Sequence, residues 1–158
     1  MLRLLRPDES VDSVFAIDLK RLRGEGLTGL ILDIDNTIMP YSRLEIPPAV
    51  MRWIEEAEEE NFDICFVSNT LQKRAEFVES TFGLPAYSQC MKPMTRYLIR
   101  AQRSIDSSPE NIAMIGDQIF TDIVAGNRAG CHTILVDPLE DRDFVLTRGL
   151  RWLESFLR

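Results

Sequence analysis

Two aspartates two positions apart, Asp33 and Asp35, stand at the end of an apolar run over 27–33 and are followed by Asn36 and Thr37. In extended backbone alternate residues face the same side, so the two carboxyl groups can meet one substrate. One can attack while the other handles a proton. A carboxylate is a competent nucleophile toward phosphoryl groups, forming an aspartyl-phosphate. Asp35 would then protonate the departing alkoxide and deprotonate the water that cleaves the intermediate. Two further runs end in polar groups: 62–67 in Ser68-Asn69-Thr70, and 111–115 in Gly116-Asp117, with Asp122 five residues on. Carboxylates converging in one pocket repel one another and raise each other's pKa. A hard cation resolves that conflict, and Mg²⁺ suits best, because it takes one or two carboxylates, keeps waters and accepts phosphate oxygens. One histidine and three scattered cysteines give no ligand set for a softer metal. Lys92, just before Pro93, can supply positive charge to the transferring group.

The elements that must position these groups alternate. Val11, Phe15, Leu19 and Leu22 recur at helical spacing behind a cap at Ser10, which predicts an N-terminal helix over 10–23 stopped by Gly24 and Gly26. Strands are predicted at 27–33, 62–67, 86–88, 111–115 and 133–136. Between them fall helices from Pro47-Pro48 to about Glu60, from Leu71 to Phe82, from Pro93 to Ile105, and from Ile119 to Ala129. The alternation predicts an α/β fold: a doubly wound, Rossmann-like parallel sheet with helices on both faces. Ligands bind such sheets at the carboxyl ends of the strands, where the acidic and hydroxyl groups lie.

The 158 residues suit one domain over 1–158, with a core over 27–137 and an amphipathic tail over 142–158. There are 18 Lys and Arg against 25 Asp and Glu, a net charge of −7, which argues against bulk nucleic-acid binding. No apolar run approaches the ~20 residues of a membrane span. Cys65, Cys90 and Cys131 form no C-x-x-C pair, so a reducing, cytoplasmic setting is expected, with the thiols packed as small hydrophobes. Gly24-Glu25-Gly26-Leu27-Thr28-Gly29 matches G-x-G-x-x-G but precedes a strand, so it reads as a turn. His132 begins a strand and reads as structural. The run Glu55-Glu56-Ala57-Glu58-Glu59-Glu60 reads as a solvated helix face.

With these residues in order, the chain resembles the haloacid dehalogenase (HAD) superfamily of phosphatases. D-x-D-x-T is Asp33-Ile34-Asp35-Asn36-Thr37; the strand-end hydroxyl is Ser68; the downstream lysine is Lys92; the acidic pair is Asp117 and Asp122. The resemblance implies that Asp33 is nucleophile and metal ligand, and that Asp35 is acid/base and lends its backbone carbonyl to Mg²⁺. Asp117 would be the other metal carboxylate. Ser68 would bond the phosphoryl oxygens, joined by backbone N–H groups near Asn36 and Asn69. Asp122, beside Gln118, would order Lys92 or a metal-bound water, and Thr37 would bond within its loop to position Asp35. The 35 residues from Asp33 to Ser68 and the 24 from Ser68 to Lys92 leave no room for a cap domain.

Further points of likeness are Leu5-Arg6-Pro7, Lys92-Pro93, Gly116-Asp117-Gln118 with Thr121-Asp122, and Gly126-Asn127-Arg128 before Thr133. They resemble subclass IIIA, the phosphatidylglycerophosphate phosphatase-like group that includes the YqeG family. That likeness implies a phosphate-ester substrate such as a phosphatidylglycerophosphate-type head group, met peripherally at an anionic membrane. Two alternatives stay open: a capless phosphatase for a soluble sugar phosphate or nucleotide, closed by oligomerisation, and a non-enzymatic protein that binds a phosphate or metal. The tail over 142–158 carries Leu146, Leu150, Leu153 and Leu157 near helical spacing, with Arg142, Arg148, Arg151 and Arg158, and suits either its own domain or an anionic bilayer.

Overall fold

The computed structural model describes residues 2–140. Its strands are β1 (Glu9–Val11), β2 (Gly29–Leu32), β3 (Asp63–Val67), β4 (Ala86–Tyr87), β5 (Ile112–Gly116) and β6 (His132–Val136). Its α-helices are α1 (Leu19–Gly24), α2 (Pro48–Glu59), α3 (Gln72–Phe82), α4 (Arg96–Ser104) and α5 (Val124–Ala129). The strands form one sheet in the order β1-β6-β5-β2-β3-β4, with every neighbouring pair parallel. This is the expected doubly wound α/β architecture. Between Asp33 and Lys92 the chain adds only α2, β3, α3 and the short β4, so among the described residues no cap domain covers the strand ends.

Alternation along the strands fills two apolar layers. Leu30 and Leu32 of β2 join Ile64 and Phe66 of β3 on one face, beneath α1, α2 and α3. Ile31, Cys65 and Val67 point the other way, into the layer under α4 and α5. Helix α2 has Pro48 in its first turn, where a missing N–H costs nothing. It buries Val50, Trp53, Ile54 and Ala57, one stripe at helical spacing. Helices α3 and α5 stop at Gly83 (φ 70°) and Gly130 (φ 79°), a left-handed conformation that glycine adopts without a Cβ clash.

The N-terminal region departs from the expected helix over 10–23. It is a strand, one 3₁₀ turn (Val14–Ala16) and the short α1. Strand β1 lies against β6, pairing Glu9 with Ile134 and Val11 with Val136. It gives the backbone groups of β6 partners that an isolated helix could not supply. Asp8 locks the register: its N–H donates to the Thr133 carbonyl at 3.0 Å, and its Oδ2 accepts from the Thr133 N–H at 2.8 Å and hydroxyl at 3.0 Å. The apolar stripe is divided accordingly, with Leu19 and Leu22 buried in α1 and Phe15 exposed.

Two smaller differences bear on the site. The helix expected from Pro93 begins at Arg96, leaving Lys92 and Pro93 in a turn. The helix expected from Ile119 begins as one π-helical turn (Ile119–Ile123) before α5. The tail over 142–158 lies outside the described residues.

Thr133→Val keeps the β-branched shape and removes the hydroxyl that both accepts from and donates to Asp8. It is expected to lower stability by about 0.5–1.5 kcal/mol in denaturant titration, the net worth of a lost hydrogen bond, since the exposed Asp8 carboxylate can turn to water. An unchanged midpoint would remove this clasp from the account.

Candidate active site

Strand order reverses between β2 and β5, which lie side by side with Leu32 opposite Ile115. A crevice opens at such a switch point beyond the carboxyl ends of the strands. Asp33 continues β2, donating its N–H to the Ile115 carbonyl at 2.9 Å, and Asp117 follows β5. Asp33, Asp117 and Asp122 are all buried, and one carboxylate oxygen from each lies within 4.8 Å of the others.

Lys92 enters this cluster from the turn before α4. Its Nζ donates to Asp33 Oδ1 and Asp122 Oδ1, each at 2.5 Å, and to the Val67 carbonyl at 3.3 Å. Asn69 holds its backbone: the Lys92 N–H donates to Asn69 Oδ1 at 2.7 Å and the Asn69 amide donates to the Lys92 carbonyl at 3.3 Å. Burial pushes the Asp33 carboxyl up to about 7; Lys92 pulls it down and Asp122 adds repulsion. For Lys92, burial alone would lower the pKa, but Asp122 and Asp33 outweigh it and the ammonium is held more firmly than usual.

The other oxygen of Asp122 accepts from the Gln118 N–H at 3.1 Å, so the π turn folds this carboxylate back over the end of β5. Gly116 leaves it room, because a Cβ there would overlap the Asp122 carboxylate.

Asp35 faces the pocket from the loop after β2. Its Oδ1 accepts from Arg74 Nε at 2.7 Å. The Arg74 guanidinium also donates to the Pro40 carbonyl at 2.8 Å and stacks over Tyr41, 5.7 Å from the ring centroid. Arg74 therefore straps the loop after β2 to α3 and fixes the Asp35 side chain.

Asp33, Asp35, Ser68, Asn69, Lys92 and Gln118 all line one cavity of about 570 Å³. Ser68 is buried, its Oγ accepting from the Thr70 N–H at 3.2 Å. Two residues expected at the site are employed otherwise. The Asn36 backbone N–H goes to the Met39 carbonyl and its side chain bonds Tyr41 and Glu140, so it shapes the loop (φ 62°) and its backbone N–H is not free for phosphate. Thr37 Oγ1 is buried and makes no hydrogen bond among the described residues, so it does not tie down Asp35.

Arg74 is the residue that sequence reasoning missed. Its signal was a basic pair, Lys73-Arg74, in the first turn of a helix, where the macrodipole disfavours positive charge. The cysteines read correctly: all three are free and buried, and burial pushes the Cys90 thiol up to about 11.

Gly116→Ala tests the packing of Asp122. It is expected to cut turnover of an aryl phosphate at least about tenfold, because a displaced Asp122 releases Lys92. Full activity in a folded variant would show that Asp122 is free to move.

Comparison with known proteins agrees with this geometry. Residues 89–138 match a family model described as HAD-hydrolase-like. A Bacillus subtilis (strain 168) protein named probable phosphatase YqeG is 36% identical over 148 residues, covering 94% of this chain and 86% of that protein. Phosphatidylglycerophosphate phosphatase 1 of Arabidopsis thaliana, chloroplastic/mitochondrial, is 31% identical over 163 residues, covering 96% of this chain and 46% of that protein. The chain thus spans about half the plant protein's length. The crystal structure of an uncharacterized protein from Listeria monocytogenes serotype 4b shares the fold, with a TM-score of 0.60 at 20% identity over 75% of this chain and 85% of that one. On its motifs, its sheet order and its likeness to YqeG over nearly its whole length, the chain belongs to the YqeG family of HAD-type phosphatases.

Proposed function

We propose that this phosphatase hydrolyses a phosphate monoester through an aspartyl-phosphate on Asp33, with Mg²⁺ as cofactor. The observation that carries the reading is the Lys92 ammonium, seated between Asp33 and Asp122 on the floor of a pocket that also presents Asp35 and Ser68.

The donor set fits the ion. Asp33, Asp117 and Asp122 offer only carboxylate oxygens, Lys92 offsets one negative charge, and the remaining repulsion is relieved by a hard divalent cation. Asp33, Asp117 and the Asp35 carbonyl would hold Mg²⁺, leaving Asp122 to its bonds with Lys92 and the Gln118 N–H. When bound, the ion supplies charge stabilisation to the phosphoryl oxygens. Asp33 attacks phosphorus and forms the acyl phosphate as the ester oxygen leaves. Asp35 gives that oxygen its proton, then takes one from the water that frees phosphate and restores Asp33. The Arg74 strap keeps Asp35 facing the pocket throughout. The Ser68 hydroxyl bonds the phosphoryl oxygens, and the Lys92 ammonium, its three donors taken by Asp33, Asp122 and the Val67 carbonyl, stabilises their charge from beside Asp33.

For the substrate we propose a phosphatidylglycerophosphate-type lipid head group, met at an anionic membrane surface. The open, uncapped pocket and the name of the Arabidopsis relative support this. No helix among the described residues is long and apolar enough to cross a membrane.

A phosphate-release panel of phosphatidylglycerophosphate, sugar phosphates and nucleotides is expected to show the lipid ester turned over fastest. Asp33→Asn should lower turnover at least about a thousandfold, and Asp35→Asn by about 10²–10⁴-fold. Undiminished turnover in Asp33→Asn would overturn the nucleophile assignment, and preference for a soluble ester would overturn the lipid one.

The raised Asp33 pKa sets a sign for pH. Its folded value of about 7 exceeds the usual value of about 4, so metal-free stability declines as pH rises through that interval. Mg²⁺ needs the ionised form. Its addition is therefore expected to raise Tm more at pH 8 than at pH 5 in thermal-shift measurements. A Mg²⁺ effect that is absent, or larger in acid, would contradict the ligand set.

A further inference from the structure

Seven large apolar side chains are exposed among the described residues. Five of them, Tyr41, Leu44, Leu71, Met91 and Met94, lie in the three loops that leave the carboxyl ends of β2, β3 and β4. Single exposed hydrophobics are ordinary, but a group gathered at one end of a sheet marks a contact surface. Tyr41 and Leu71 line the pocket itself, and Leu71 is 72% exposed. Two exposed apolar side chains thus border a pocket that also holds Asp33, Asp35 and Lys92.

The charge of these loops also departs from the rest of the chain. Over 69–75 and 87–105, the loops after β3 and β4 with the helical residues they lead into, there is no Asp or Glu, although the whole chain carries −7; in the loop after β2 the exposed Glu45 is paired with Arg43. Lys73, Arg96 and Arg100 of these stretches are exposed. Exposed methionine and leucine among exposed cations suit a surface that offers both acyl chains and anionic head groups. A polyanion such as nucleic acid would use the cations and gain nothing from Leu44, Met91 or Met94.

We propose that the rim formed by Tyr41, Leu44, Leu71, Met91 and Met94 is a docking surface for an anionic phospholipid bilayer. Its apolar side chains enter the head-group layer and hold the mouth of the pocket against the membrane. This rests on the lipid-substrate reading above and names the surface that would deliver that substrate. Docked in this way, the phosphate of a lipid head group reaches Asp33 while its acyl chains stay in the bilayer.

The test is flotation of the full chain with vesicles of phosphatidylcholine alone or with phosphatidylglycerol, neither of which carries a phosphate monoester. Binding is expected to the phosphatidylglycerol vesicles, and the Leu44→Gln/Met94→Gln double variant should bind them at least about tenfold more weakly. Turnover of a soluble aryl phosphate should be unchanged in that variant, which shows that it is folded. Wild-type binding by the double variant would overturn the proposal, as would failure of the wild type to bind. Loss in Arg96→Gln with full binding by the double variant would mark a purely ionic contact and overturn it too. Vesicle binding through the rim, combined with no release from phosphatidylglycerophosphate, would leave the docking surface standing and reject the substrate alone.

Discussion

The buried ammonium of Lys92, in contact with Asp33 on one side and Asp122 on the other, is the interaction that the rest of the structure serves. Three carboxylates are brought within 4.8 Å of one another. Two unit charges about 4 Å apart repel by roughly 4 kcal/mol at the effective dielectric of a protein, of about 20. That is a large part of the ~5–15 kcal/mol by which a domain is stable at all. The ammonium within the cluster offsets part of that repulsion, and the remaining negative charge is what makes it receptive to a divalent ion. The same contact holds Asp33 where an incoming phosphorus would meet it.

Holding an ammonium there requires distant parts of the chain to arrive together. A parallel sheet whose order reverses between β2 and β5 sets Asp33 and Asp117 on adjacent strand ends. Lys92 belongs to neither a strand nor a helix, and its backbone is caught by the Asn69 side chain just beyond β3. Asp122 comes from a π turn that folds over Gly116, where any Cβ would collide with it. The Arg74 strap does for Asp35 what Asn69 does for Lys92. Each of these two pocket side chains is therefore fixed by a neighbour, which is how a site keeps its geometry before substrate arrives.

The pattern of success in reading the chain follows from the range of the interactions. The strands before Asp33, Ser68 and Asp117 are buried on both faces and show as apolar runs, so their ends, and the polar groups gathered there, were legible. The stops of α3 and α5 were legible because glycine supplies a left-handed cap locally. Strand β1 was not. Its identity depends on Asp8 and Thr133, 125 residues apart, and no local periodicity records such a contact. Leu19 and Leu22 do mark a helix, but Val11 and Phe15 fell into step with them by coincidence. The position of Asn36 beside Asp35 says nothing of the left-handed turn that takes up its backbone N–H. Arg74 lay hidden in a polar helix, and its role became visible only once the loop over 40–43 was seen to fold onto it.

The nucleophilic role proposed for Asp33 is tested most directly by chemical trapping. Turnover of an aryl phosphate would be quenched rapidly, the protein reduced with borohydride and its peptides mapped by mass spectrometry. An acyl phosphate on Asp33 is reduced to the alcohol, so the peptide bearing Asp33 should show that mass change, dependent on substrate. Phosphate release with Asp33 unmodified, or with the reduced carboxyl at Asp35, would contradict the account.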